Sequence, residues 1–302
     1  MEKNTVIAHG GLLVYKEAGA TSHDAVNAVR RHIATVSTAD QRPKVGHSGT
    51  LDPFATGLLI ILLGHATRLQ DELHLLPKTY RAEITLGATS DTDDSTGTLT
   101  KTNAPQQPTQ KDVEAALNFI KQQTEQIPPH YAAIKIKGKK MYEYAREGKV
   151  VEREPRPVII HEIILHAYNY PILDISVKCS TGTYIRSIAR DIGTLLKTGG
   201  YCSKLSRTAI GAFSDTNGFL VKDLPSRLEN VLISMAELTN HIPQLVCPED
   251  NVAKYKQGKE GVSPSNMPKN TPIALLNESK DLFGIGIRET SALTIKPKKI
   301  FL

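Results

Sequence analysis

Few residues of this chain have the type and spacing to do chemistry. The stretch KVGHSGTLDPFATGLLIILLGHATRL, residues 44–69, holds a single acid, Asp52, between turn residues and a long apolar run. Gly46 and Gly49 allow sharp backbone turns, and Pro53 biases Asp52 toward an extended conformation. The acid is therefore presented from a stiff loop. On spacing alone two readings stand: a catalytic carboxylate, or an aspartate that caps a turn, as Asp does often.

Other chemistries are not supported. DTDDSTG, Asp91 to Gly97, hints at a calcium loop, but its glycine falls at loop position 7 and position 12 is Thr102 rather than Glu. His161 and His166 lie five apart on an expected strand and so face opposite sides. There is no G-x-S-x-G and no G-x-G-x-x-G, and GHSGTLD lacks the lysine of a phosphate loop. Cys179, Cys202 and Cys247 are far apart and odd in number, against a disulfide framework or a zinc site.

The elements that must position Asp52 follow from periodicity. GLLV, Gly11 to Val14, predicts a strand. TSHDAVNAVRRHIAT predicts a helix capped by Ser22, with Val26, Val29 and Ile33 inward. LLIILLG predicts a buried strand. In TYRAEITLG, Tyr80, Ala82, Ile84 and Leu86 share one face. TQKDVEAALNFIKQQ carries a capping box, Thr109 to Asp112. LDISVKCS predicts another strand. TGTYIRSIARDIGTLLKTGG predicts a helix with Ile185, Ile188, Ile192 and Leu195 on one side and Gly199-Gly200 as its stop. Strands outside a βαβ rhythm indicate an α+β fold. Near residue 240 the pattern changes to short apolar runs, PIALL, LFGIGIR and ALTIKP, which predict a small β-barrel.

The 302 residues carry a formal net charge of +6, which favours an anionic partner. Residues 134–157 hold eight Lys/Arg against four Glu, interleaved with Tyr142 and Tyr144; residues 178–210 hold six Lys/Arg against Asp191 alone. Such stretches suit RNA, or else are solvated faces. The N-terminus lacks the pattern of a signal sequence, and the run Gly57 to Gly64 is far below a membrane span of about 20 residues. The expectation is a soluble cytoplasmic protein.

Beyond these readings, GHSGTLDPFATGLLIILLGHATRL closely resembles the signature of the TruB family of bacterial tRNA pseudouridine synthases. GGLLVYKEAGATSHDAVNAVRR, KTYRAEITLGATSDTDDSTG, PPHYAAIKIKGKKMYEYAREGKVVEREPRPVIIHEI, CSTGTYIRSIARDIG and LSRTAIGAF resemble further family blocks in the family's order. The tail, especially LFGIGIRETSALTIKPKKIFL, looks like a divergent PUA module, a small RNA-binding barrel.

The resemblance implies an α+β pseudouridine-synthase core with a mixed, largely antiparallel sheet and flanking helices over residues 1–240. Within it a basic thumb-like insertion is expected at about 127–157, followed by a PUA-like β-barrel over 241–302. It implies isomerisation of U55 in the tRNA T-arm by a cofactor-free, metal-free enzyme that needs no protein partner and acts as a monomer. The family's catalytic aspartate maps onto Asp52, its base-packing ring onto Tyr80 and the basic partner of the acid onto Arg186. Tyr184 maps onto the pocket tyrosine, His47 onto the histidine that fills the space of the flipped nucleotide, and Leu205 onto a pocket-wall leucine. Arg186 is expected to hold Asp52 ionised, because an opposite charge lowers a carboxylate pKa. Alternatives are an RNA-guided relative and a binding-only RNA chaperone. Two departures stand out: Tyr15-Lys16-Glu17 lacks the family's proline after lysine, which questions the first loop's rigidity, and Arg68 replaces a common lysine.

Overall fold

A computed structural model describes residues 9–36, 42–103, 106–132, 134–136, 139–141, 144, 152–225, 227–290 and 293–301. The main sheet contains β1 (Gly10–Lys16), β2 (Val45–His47), β3 (Thr56–Leu63), β4 (Lys78–Leu86), β5 (Ile160–Asn169), β6 (Ile172–Cys179) and β7 (Gly200–Ile210). Their order is β1-β3-β7-β4-β6-β5, with β2 added to β3 and the short strand Phe213–Ser214 added to β7. All pairs are antiparallel except β3 with β7, where Ser206 meets Thr56 and Arg207 meets Gly57. This is the mixed, largely antiparallel α+β sheet expected.

Burial explains the patterns. β3 is apolar from Leu58 to Leu63 because both of its faces are covered. Leu59, Ile61 and Leu63 pack against Val26, Val29 and Ile33 of α1 (Ser22–Val36). Leu58, Ile60 and Leu62 pack on the opposite side with Ala274, Leu276 and Ile285 of the C-terminal sheet. β4 alternates instead: Ala82, Ile84 and Leu86 face a core built with β6, α2 (Gln110–Lys121) and α3 (Ile185–Leu195). The Thr109–Asp112 capping box forms as expected. Leu195 does not join the buried stripe of α3; it is 40% exposed in the last turn. The chain reverses there through Lys197, at φ 58°, ahead of Gly199.

The first helix is capped one residue earlier than expected. Thr21 Oγ1 accepts the Asp24 backbone N–H, and Asp24 accepts from the Thr21 N–H and hydroxyl. Ser22 is thereby released for another use, described below.

The C-terminal module has strands β8 (Gln244–Val246), β9 (Gly261–Val262), β10 (Pro272–Leu276), β11 (Leu282–Arg288) and β12 (Thr294–Ile300). They form one five-stranded sheet ordered β8-β10-β11-β12-β9, with helix α4 (Glu249–Lys256) beside it. It is docked firmly. Lys299 reaches Glu72 Oε1 at 3.0 Å and the Arg68 carbonyl at 2.8 Å. Arg68 in turn donates to the Ile300 carbonyl and lies over the Phe301 ring. The charge at Arg68 is therefore spent on docking this module. Among the described residues, no helix is long and apolar enough to cross a membrane.

One glycine is structurally required at the β3–β7 crossing. Gly57 has φ 111°, and a Cβ there would lie 2.3 Å from the Arg207 carbonyl oxygen. Gly57→Ala should therefore cost more than about 1 kcal/mol. Urea unfolding measures this, and an unchanged midpoint would contradict it.

Candidate active site

The loop that carries Asp52 is tied down along its backbone. The Ser22 hydroxyl accepts the Leu51 N–H at 2.8 Å and donates to the Leu51 carbonyl at 3.2 Å. Arg207 donates to the carbonyls of Thr50 at 3.2 Å, Gly49 at 3.3 Å and Leu58 at 2.8 Å. The Lys16 ammonium donates to Pro53 at 3.2 Å, Glu17 at 3.0 Å and Ala20 at 2.7 Å. These last contacts answer the departure at Glu17. Without the proline, Lys16 itself joins the first loop to the acid loop, and the Gly19 N–H adds a 2.8 Å bond to the Pro53 carbonyl.

Arg186 sits in the first turn of α3 and is 4% exposed; its Nε lies 2.8 Å from Asp52 Oδ2. The contact is close but not aligned as a hydrogen bond. The other guanidinium nitrogens are fixed from behind. Nη1 donates to the Thr92 carbonyl at 3.1 Å and pairs with Asp94 Oδ2 at 3.3 Å; Nη2 donates to the Tyr131 carbonyl at 3.1 Å. Asp94 is itself filled, because its Oδ1 accepts from the Thr92 hydroxyl and from the N–H and hydroxyl of Thr96. One turn along the helix, Arg190 pairs with Asp93 at 3.0 Å. Asp93 and Asp94 of the DTDD loop thus serve as counter-charges to two arginines. This role of Asp94 was missed from sequence; the available signal was two adjacent acids after β4 and two arginines four apart on a helix.

Asp52, Tyr80, Tyr184, Arg186 and Leu205 all line one cavity of about 290 Å³. Tyr80 projects from β4 and Leu205 from β7. Tyr184 caps α3, and its backbone is clamped by Gln126, which accepts the Tyr184 N–H at 2.8 Å and donates to its carbonyl at 3.1 Å. Burial pushes both tyrosine phenols up. His47 is not in the cavity wall. It braces the loop, its Nδ1 accepting the Gly49 N–H at 3.2 Å, and burial, then Arg207, lower its pKa. Lys78, His74 and Arg207 also line the cavity and were not anticipated.

Asp52 keeps 34% of its side-chain surface, open to the cavity. Its pKa corrects the expectation from sequence. Burial pushes the carboxyl above the ordinary aspartate range; Arg186 opposes this, and Asp94 adds to it. Arg186 therefore limits a rise rather than producing a net fall.

Solved structures share this fold. A Cbf5-Nop10-Gar1 complex matches with a TM-score of 0.77 and 21% identity, covering 100% of this chain and 88% of that one. An H/ACA RNP bound to a substrate RNA containing 2'-deoxyuridine matches with a TM-score of 0.74 and 20% identity, covering 98% and 86%. At these identities the likeness is one of fold. The family model "TruB family pseudouridylate synthase (N terminal domain)" matches residues 33–185. Relatives named tRNA pseudouridine synthase B include one from Dehalococcoides mccartyi, 36% identical with 97% of this chain and 96% of the relative covered. One from Bacillus subtilis is 36% identical with 98% of each chain covered. One from Acholeplasma laidlawii is 46% identical, covering 74% and 78%. The chain belongs to the TruB family of pseudouridylate synthases.

The electrostatics give a pH prediction. With Asp52 as the catalytic carboxylate, the role proposed below, function is lost as pH falls through its pKa, so the raised pKa moves the acid limb of a single-turnover rate profile above the ordinary value of about 3.9. Asp94→Asn removes a charge that raises it and should shift that limb to lower pH. A limb that stays in place or moves to higher pH in this variant would contradict the assignment.

Proposed function

We propose that this chain is a tRNA pseudouridine synthase that isomerises U55 of the T-arm, with Asp52 as its catalytic residue. The observation that carries the reading is the Asp52–Arg186 pair at 2.8 Å, opening into a cavity also lined by Tyr80. The names and coverage of the relatives support the same activity.

The reaction breaks the N1–C1′ bond of uridine, turns the base and joins C5 to C1′. The proton on C5 leaves and N1 gains one, so no atom is lost overall. One carboxylate suffices as nucleophile or base. No water needs activating, in contrast to the paired carboxylates of glycosidases. The target base must leave its stack, at a cost of a few kcal/mol. Stacking on Tyr80 offsets about 1–3 kcal/mol of that. Leu205 walls the flipped base, Tyr184 closes the side next to Arg186, and His47 occupies the space the nucleotide vacates.

Residues 1–240 act as the catalytic unit and 241–302 as an RNA-binding module, in a monomer that needs no protein partner. The insertion at about 127–157 closes over the T-loop. Its base is anchored, since Glu125–Gln126 pairs with Arg156–Pro157, and Arg153 donates to the Pro128 carbonyl. Its entry reaches the site through Ile134, a cavity wall. Tyr142 and three of the basic residues, Lys137, Arg146 and Lys149, lie outside the described residues.

The test uses the purified chain alone with unmodified tRNA tritiated at uridine C5. Tritium release is expected from the wild type. Asp52→Asn should release none while still binding tRNA. No release by the wild type alone would refute the reading, and release only with a guide RNA complex would favour an RNA-guided relative.

A further inference from the structure

Two cations line the cavity without an acidic partner. Lys78 begins β4, two residues before Tyr80, and so shares its face. It is 5% exposed, and its ammonium donates to the His74 carbonyl. Arg207 lies opposite Tyr80 on β7 and is 1% exposed; its donors go to backbone carbonyls. Among the described residues, neither forms an ion pair with an Asp or Glu within 4.0 Å. The acids of the site are committed to Arg186.

Burying an ammonium without a counter-charge is costly. An ammonium also has three N–H donors, and the His74 carbonyl takes one. Uracil is neutral and offers a cation only its carbonyl oxygens. A nucleotide entering the cavity, however, brings a phosphodiester on each side of its sugar, and each carries one negative charge. In the wall, Lys78, Arg207 and Arg186 are set against Asp52 alone; with Asp94, which pairs with Arg186 from behind, the cluster keeps one positive charge in excess, which a single phosphodiester neutralises.

We propose that Lys78, backed by Arg207, binds a phosphodiester oxygen flanking the target nucleotide, so that the backbone as well as the base is held by the cavity. The proposal rests on the RNA-modifying reading above. It makes Lys78 a binding residue that acts before any bond is broken.

The groups facing Lys78 are Arg207 on β7, Cys179 on β6 and His74 on the short helix Gln70–His74. Burial first, then Arg207, draws the Lys78 pKa down to about 8. Its charge is present below that pH and lost above it. Cys179 is pushed up to about 11, and His74 is lowered from 6.5, so both stay neutral between pH 7 and 9. Lys16 is also drawn down to about 8, but it is unchanged in every variant compared.

The experiment measures equilibrium binding of a T-arm stem-loop in the Asp52→Asn background, where turnover is removed. Lys78→Met should weaken binding about tenfold or more and reduce the slope of log affinity against log salt by about 0.7–0.9. Lys78→Arg should keep the affinity at pH 7 and lessen its decline toward pH 9. It also serves where the methionine variant fails to fold. One methylphosphonate linkage, placed on either side of the target uridine, should weaken binding to the Lys78 protein and cost nothing further with Lys78→Met. An unchanged salt slope, or a penalty at both linkages that is the same with and without Lys78, would overturn the proposal. Isomerisation by Asp52→Asn itself would instead refute the catalytic reading and leave these binding results standing.

Discussion

The guanidinium of Arg186 is the group on which the site depends. It is buried, and it is shared between Asp52 in front and Asp94 behind. A buried charge left without its partner is strongly destabilising, so the three side chains constrain one another. Arg186 also reaches the carbonyls of Thr92 and Tyr131. One side chain therefore joins the acid loop, the DTDD loop, helix α3 and the segment at Tyr131. The Asp52 carboxyl is held between opposing influences: burial and Asp94 raise its pKa, and Arg186 lowers it.

The rest of the architecture delivers the acid loop to that arginine. The loop between β2 and β3 has little regular structure, so its carbonyls need donors from elsewhere. Ser22, Lys16 and Arg207 supply them. Arg207 can reach because β7 runs parallel to β3 at Gly57, where a side chain would collide with the Arg207 backbone. Behind β3, the C-terminal sheet covers Leu58, Ile60 and Leu62. The tail thus completes the core beneath the acid loop as well as forming a sheet of its own.

Local elements were legible because their signals are local. The Thr109–Asp112 box, the alternation of β4 and the two-sided burial of β3 each follow from a few adjacent residues. The cap of α1 was misplaced by one residue because Ser ranks above Thr as a cap taken singly, although Thr21-x-x-Asp24 repeats the box pattern of Thr109–Asp112. Only the tertiary contact with Leu51 shows that Ser22 is used elsewhere. Asp94, Lys16 and Arg207 were missed for the same kind of reason: their partners are distant side chains or backbone carbonyls, which leave no pattern. Resemblance to the family brought Asp52, Tyr80, Tyr184, Arg186 and Leu205 forward together, and they share one cavity. It did not show that burial outweighs Arg186 at the acid.

The fork of Arg186, and not merely its charge, organises the site. Arg and Lys differ in this respect, since lysine cannot hold several acceptors in one plane. The most direct measurement is the single-turnover rate of Arg186→Lys with saturating tRNA. Displacement of Asp52 by about 1 Å predicts a loss of about hundredfold with tRNA affinity retained. A rate close to that of the wild type would contradict the account.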